Sequence, residues 1–429
     1  MRQANQKAEH CSSYYAATAI EKTAYPVLQG AQTADICIVG AGFTGIAAAL
    51  TLAERGYSVI VLDANRVGWG ASGRNGGQLI GGISGESKLA RQYGSGVEDL
   101  LWEMRWRGND IVHDRVAKYD ISCDLKNGYF EAAIKPRHMR DLEKDFENMQ
   151  RRKFPYEFRL TDSQETQHIT GTNAYIGGLI NMRNGHLHPL NLCIGEARAA
   201  AGLGVQIFEQ SPVMEVRHGE KPRVITASGY VEANTVVLAG NAYHRLERKY
   251  LSGLVFPAGS YIIATEPLPA DTIQKINPLD LAICDMNEVV DYYRLSADGR
   301  MLFGGRCNYS GREPKSIQKT MRPRMVGIYP ELENARIEYE WGGKIGIVVN
   351  RIPLIGRIDK NIYYSQGYSG HGVNATHIAG EIIADAIGGT MERLDIFEKV
   401  RHVRIPLGQW FGNQMVALGM LYYRMRDLL

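Results

Sequence analysis

The chain is poor in features that mark several common protein classes. Its six cysteines, Cys11, Cys37, Cys123, Cys193, Cys284 and Cys307, are scattered. None forms a C-x-x-C pair, and no histidine stands at a zinc-like spacing from them. No metal site is expected, and the expected setting is the cytoplasm. Runs of like charge are missing too. Lys and Arg number 49 against 46 Asp and Glu, a net charge of +3. No basic stretch is interleaved with aromatics, which argues against nucleic acid as a partner. Met1 to Gln32 lacks the charged start and apolar run of a signal peptide. The longest apolar run, Ile36 to Ala53, has the length of a membrane span. Three glycines at motif spacing and a turn interrupt it, so no integral membrane segment is expected. Repeats and low-complexity tracts are absent.

Glycine, by contrast, is in excess. The chain has 47, where roughly 7% usage would give about 30. Such an excess suggests tight turns and backbone that must approach something closely. A length of 429 residues suits about two domains.

The strongest pattern comes early. Ala34 to Val39 reads as a buried parallel strand. Gly40-Ala-Gly42-Phe43-Thr44-Gly45 follows, then a helix from Ile46 to Arg55 ended by Gly56, a strand from Ser58 to Leu62, and Asp63. This is the dinucleotide-binding fingerprint in its proper context. Gly40 allows the tight turn, Gly42 lets a pyrophosphate lie on bare backbone, and Gly45 lets helix and strand pack closely. The helix N-terminus offers N–H groups to phosphate. Asp63, followed by Ala64, is placed to accept hydrogen bonds from an adenosine ribose. The next loop, Arg66 to Gln78, contains Gly70, Ala71, Ser72, Gly73, Arg74, Asn75, Gly76 and Gly77. Bare backbone and small side chains there suit an extended FAD better than NAD.

These residues resemble the FAD-dependent D-amino-acid oxidase and sarcosine oxidase superfamily. Thr235 to Tyr243, Trp341 to Gly356 and Gly367-Tyr-Ser-Gly-His-Gly372 extend the resemblance along nearly the whole chain. It implies an α/β fold: a Rossmann-like FAD-binding domain with a doubly wound sheet, interrupted by an α+β substrate domain. The expected division is 33–110, 181–245 and 345–400 for FAD, with 111–180 and 246–344 for substrate. An N-terminal extension (1–32) and a C-terminal helix (401–429) flank these. The resemblance further implies cofactor contacts at Val213, Ala239, Gly240, Gly367, Ser369, Gly370, His371 and Gly372.

A closer resemblance within the group is carried by Ser12 to Ala17, Gly185 to Leu192, Asp291 to Leu295 and Gly367 to Gly372. It implies oxidation of a putrescine-derived primary amine to an aldehyde with release of ammonia. Oxygen or another acceptor would take the electrons. Three departures bear on this. The family cysteine that bonds flavin covalently would fall near Ile347, where none stands, so FAD is expected to be non-covalent. The arginine that grips an α-carboxylate is missing from Gly343 to Asn350, and Lys344 lacks its bidentate fork. The oxygen-activating lysine would fall near Met301.

Helices are expected at Val97–Tyr119, Pro136–Arg152 and Leu190–Ala201. Strands are expected at 205–208, 213–217, 224–226, 255–265, 291–295 and 301–305. The candidate catalytic set is His371, Tyr293, Arg294 and Arg74. His371 sits either at the flavin edge or in a loop, bonded to backbone. Tyr292, Tyr293 and Arg294 alternate, so only two can face a site, and aromatic walls attract cations. Arg294 or Arg74 could take a remote carboxylate. His186 and His188 read as structural, and Trp341 as a core or junction aromatic. Oxidation of glycine, sarcosine or D-amino acids, and FAD binding without catalysis, remain alternatives. A homo-oligomer is left open.

Overall fold

A computed structural model describes residues 9–308 and 314–405, together with position 414. The expected C-terminal helix falls almost wholly outside them.

The fingerprint strand runs from Gly30 to Val39. It pairs in parallel with Val59–Leu62 on one side and Gly229–Leu238 on the other. Gln206–Phe208 extends the sheet beyond Val59–Leu62, and Ile362–Gln366 extends it beyond Gly229–Leu238, both in parallel. Leu354–Asp359 closes that edge antiparallel. All four residues of Val59–Leu62 are buried, because helices cover one face of the sheet and a second apolar cluster covers the other.

Helix Phe43–Glu54 packs between Pro189–Gly202 and Val373–Ile387, and Glu98–Lys118 lies against the last of these. Close packing depends on Gly45. A Cβ there would come within 1.8 Å of the Gly40 carbonyl oxygen. A buried ionic cluster ties three of these helices together. Arg115 donates to Glu196 at 2.9 Å, and His377 Nε2 lies 3.2 Å from the same carboxylate. Burial would raise the Glu196 carboxyl, but His377 and Arg115 hold it down to about 2.

The second sheet runs Ile337–Ile347, Phe256–Thr265, Met301–Asn308, Asp291–Leu295, Ala282–Asp285, Lys126–Ala133, Gly177–His186 and Gln78–Leu79. Phe158–Thr161 joins Gly177–His186. One face is packed on a core that includes Phe130, Ile283, Tyr293 and Phe303, beneath helix Ile317–Ile328. The other face looks toward the fingerprint.

The predicted helices occur at Glu98–Lys118, Pro136–Arg151 and Pro189–Gly202. Two central strands, Lys126–Ala133 and Gly177–His186, escaped the sequence reading. Both carry Gly and Asn, the composition of turns. Here the glycines serve strand crowding instead: a Cβ on Gly178 would meet the Phe130 ring at 2.1 Å. The N-terminal segment forms a short helix, Tyr14–Ala17. Its two tyrosines are buried in a cluster with Leu190 and Trp341. Among the described residues no helix is long and apolar enough to cross a membrane.

Candidate active site

A cavity of about 1020 Å³ runs between the two sheets. Ligand cavities commonly span roughly 300–1,000 Å³, so this one has room for a dinucleotide and a substrate. At one end lie Val39, Gly40, Gly42, Leu62, Asp63, Ala64, Pro212, Val213, Ala239 and Gly240. Asp63 accepts from the Ala41 and Asn65 N–H groups, each at 2.7 Å. Burial pushes its carboxyl up to about 6 against those two bonds. Two of its lone-pair directions are thus taken locally, and the side chain still lines the cavity.

The helix beginning at Phe43 has no side-chain cap on Gly42. The Phe43 N–H is taken by the Ser72 hydroxyl at 2.9 Å, which locks the glycine-rich loop onto the helix start. Thr44 shares its hydroxyl with Tyr368 at 2.7 Å. Both remain on the cavity wall with Gly70, Ala71, Ser72, Arg74, Asn75 and Gly76. Helix Val373–Ile387 also begins without a side-chain cap, and Ser369, Gly370, His371 and Gly372 line the cavity before it. Two helix starts, one with its first N–H held by Ser72 and one without a side-chain cap, open on the same cavity as the Asp63 carboxylate, an arrangement that fits a dinucleotide with a pyrophosphate and an anion-forming ring.

Four expected cofactor residues do not reach the cavity. Gly45, Gly73, Gly77 and Gly367 instead stand where added Cβ atoms would meet Gly40 O at 1.8 Å, Gly68 O at 2.4 Å, Leu187 O at 2.2 Å and Val348 Cγ2 at 2.3 Å. They shape the backbone behind the wall.

His371 lines the cavity, and it interacts with the backbone of Gly81 and Ile80. Burial lowers its pKa, and its Nε2 is without a hydrogen-bond partner among the described residues. Arg74 also lines the cavity. Its Nε donates to the Trp69 carbonyl at 2.8 Å, with the guanidinium 4.4 Å from the Trp69 ring centre.

Two expectations need correction. Tyr293 faces away from the cavity. It lies in the core under the sheet and shares its hydroxyl with Tyr175 at 3.0 Å and Tyr329 at 3.1 Å. Its neighbour Tyr292 is the one that lines the cavity. Arg294 is 2% exposed and does not line the cavity. It donates to the carbonyls of Gly76 at 2.9 Å, Leu187 at 2.7 Å and Leu295 at 3.0 Å, and to the Tyr15 hydroxyl at 3.2 Å. The guanidinium fork has the geometry to satisfy several carbonyls at once. His188 caps helix Pro189–Gly202 by accepting from Asn191 N–H at 3.1 Å. Burial and then Arg294 push it down to about 3. Trp341 is buried, and its indole donates to the Arg74 carbonyl at 3.1 Å.

The floor of the cavity was not legible in the sequence. Leu179, Glu131, Cys284, Tyr292 and Gly304 are successive cross-strand partners in one row. The first four line the cavity. Gly304 yields its space to the Tyr292 ring, since a Cβ there would lie 2.2 Å from Tyr292 Cε2. The Tyr129-Phe130-Glu131 alternation is the one local signal of this face. Asp285 lies at the end of its strand, where burial and then Asp291 push it up to about 7. Glu131 is likewise pushed up to about 7, by burial and then Asp145.

The comparisons with known proteins accord with this geometry. Residues 35–386 match the family described as DAO, FAD dependent oxidoreductase. The chain is 39% identical to gamma-glutamylputrescine oxidoreductase of Escherichia coli (strain K12) over 424 residues, 98% of this chain and 99% of that one. It is 41% identical to a probable oxidoreductase, OrdL, of Haemophilus influenzae over 431 residues, 98% of each chain. Among solved structures, glycine oxidase from Geobacillus kaustophilus superposes with a TM-score of 0.72 at 20% identity, covering 87% of this chain and all of that one. That likeness is one of fold.

Proposed function

This chain belongs to the DAO family of FAD-dependent oxidoreductases, and from that premise we propose that it oxidises the primary amine of γ-glutamylputrescine to an aldehyde. Bound FAD supplies the acceptor for the hydride on the carbon that bears the amine. That carbon gives up a hydride and the nitrogen a proton, leaving an imine, which water hydrolyses to aldehyde and ammonia. The fingerprint residues Gly40, Gly42, Phe43, Thr44 and Asp63 would hold the cofactor's dinucleotide part. The N–H groups that open helix Val373–Ile387 would face developing negative charge. Tyr292 and the sheet floor would hold the substrate chain and exclude water.

One observation carries the substrate class. The strand that would present a carboxylate-gripping arginine turns Gly343, Ile345, Gly346 and Ile347 toward the cavity, while Lys344 is exposed. A carboxylate on the reacting carbon would find no cation on that strand. The family's oxygen-activating lysine would fall near Met301, which is buried in the core, and this favours an acceptor other than oxygen. Oxidation of glycine, sarcosine or a D-amino acid is a second reading, supported by Arg74 and Arg351 on the cavity wall. We assign the protein to the cytoplasm. We also propose that FAD segments give way to substrate segments at 110/111 and 245/246, and substrate segments to FAD segments at 180/181 and 344/345, within the strands Gly177–His186 and Ile337–Ile347. The deciding experiment compares kcat/KM for γ-glutamylputrescine, putrescine, sarcosine, glycine and D-alanine with an artificial acceptor. Equal turnover of sarcosine or D-alanine would overturn the substrate.

A further inference from the structure

Beyond the sheet floor, the cavity wall is lined by a group of polar side chains that the dinucleotide-binding elements do not account for. Arg105, Trp106, Glu131, Asp145 and Asn181 all line this region. Asp145 is exposed on helix Pro136–Arg151, whereas Glu131 is half-buried on the sheet. Neither carboxylate has a hydrogen bond or an ion pair among the described residues. Arg105 acts on both through space, and its Nε donates to Glu86 at 3.3 Å.

Two donors at the same place also lack good partners. Trp106 is 8% exposed, and its indole N–H is unpaired among the described residues. The buried Asn181 amide nitrogen meets only the Met149 sulfur, at 3.9 Å. Buried donors are normally satisfied, and an unpaired one in a cavity wall asks for an acceptor.

We infer that this region is a recognition subsite for an α-amino acid joined through an amide to the reacting amine. Glu131 and Asp145 take its ammonium, Arg105 takes its carboxylate, and Trp106 and Asn181 face the amide carbonyl. The inference rests on the amine-oxidation reading and adds the residues that would set specificity. Two carboxylates without a hydrogen bond or ion pair among the described residues, beside a guanidinium that also meets Glu86, can complement a zwitterion. A cation arriving between Glu131 and Asp145 also relieves the repulsion that helps keep the Glu131 carboxyl up at about 7.

The test uses ligands that cannot be oxidised. γ-Glutamyl-n-butylamide lacks the reacting amine, and glutaryl-n-butylamide also lacks the α-ammonium. Both are titrated into FAD-loaded enzyme, and binding is read from the flavin absorbance. The wild type is expected to bind the glutamyl ligand at least about 10-fold more tightly, the scale of a hydrogen bond to a charged group. Asp145→Asn and Glu131→Gln are expected to cut that preference to within about 3-fold while leaving the flavin spectrum unchanged. Asp145 is exposed on its helix, so its replacement does not put folding at stake. Equal binding of the two ligands by the wild type overturns the subsite, as does an undiminished preference in both variants. Turnover of γ-glutamylputrescine is measured separately. Its absence would overturn the amine reading, whereas turnover without ammonium preference overturns only the subsite.

Discussion

Arg294 Nη2 donates to the Leu187 carbonyl oxygen at 2.7 Å, and the same guanidinium holds the Gly76 carbonyl at 2.9 Å. One buried side chain from the second sheet thereby fixes both the glycine-rich loop and the turn before helix Pro189–Gly202. Arg294→Met leaves these acceptors unpaired, and a loss of about 3 kcal/mol is expected, since each unsatisfied buried group costs about 1–3 kcal/mol. Arg294→Lys should recover only part, because an ammonium lacks the fork. Thermal denaturation and flavin content measure this. A variant with normal melting but a raised KM would instead return Arg294 to the substrate.

Asp63→Ala removes the carboxylate at the fingerprint end of the cavity. FAD affinity should fall by about 1.5–3 kcal/mol, the scale of a hydrogen bond to a charged group. The purified variant should be flavin-poor and regain colour with added FAD. Full occupancy without added FAD would mean that the ribose bonds elsewhere.

Non-covalent attachment is expected. The family's linking cysteine would fall near Ile347, where no cysteine stands. Cys284 does line the cavity, but burial raises its thiol well above the usual range, so little thiolate is available to attack a ring. Acid precipitation should release all yellow colour to the supernatant. Colour retained in the pellet would contradict the assignment.

Gly304→Leu should evict the Tyr292 ring from its seat. With the cavity wall displaced, kcat/KM for the amine should drop by about 10- to 100-fold, as positional errors near 1 Å do. Flavin content should hold, because Gly304 lies on the second sheet and not on the fingerprint sheet. An unchanged kcat/KM would show that the Tyr292 ring position does not matter.

Acid should destabilise the fold through His188. Its folded pKa is pushed down to about 3, whereas an unfolded histidine titrates near roughly 6.5. Between those values the unfolded chain binds the extra proton, so stability is full above the unfolded pKa and falls as pH drops toward 3. Asp285 and Glu131, each pushed up to about 7, work in the opposite sense: their protonated forms favour the fold as pH falls from 7. His188→Asn keeps a helix-capping oxygen and removes the titration. Its melting temperature should therefore decline less between pH 6.5 and 4 than that of the wild type. Parallel declines would exclude His188 as a source of the acid sensitivity.

Sequence alone determined the features whose physics is local. The run from Gly40 to Asp63 declares a turn, a helix start and a carboxylate within 24 consecutive residues, and each need leaves its mark on residue type. Gly45 was legible for the same reason, because only glycine lets the helix lie against the Gly40 carbonyl. Tertiary structure decided which face each strand turns to the cavity. The Tyr292-Tyr293-Arg294 alternation does not say which side is inward, and a shift of one residue exchanges a cavity wall for a core. It also decided partners far apart in the chain. Arg294 became a brace because Gly76 and Leu187, more than 100 residues away from it, bring their carbonyls to the same point. Glu131 and Asp145 share a cavity with Arg105 because a strand and two helices converge there, and no spacing within any one of them encodes that meeting.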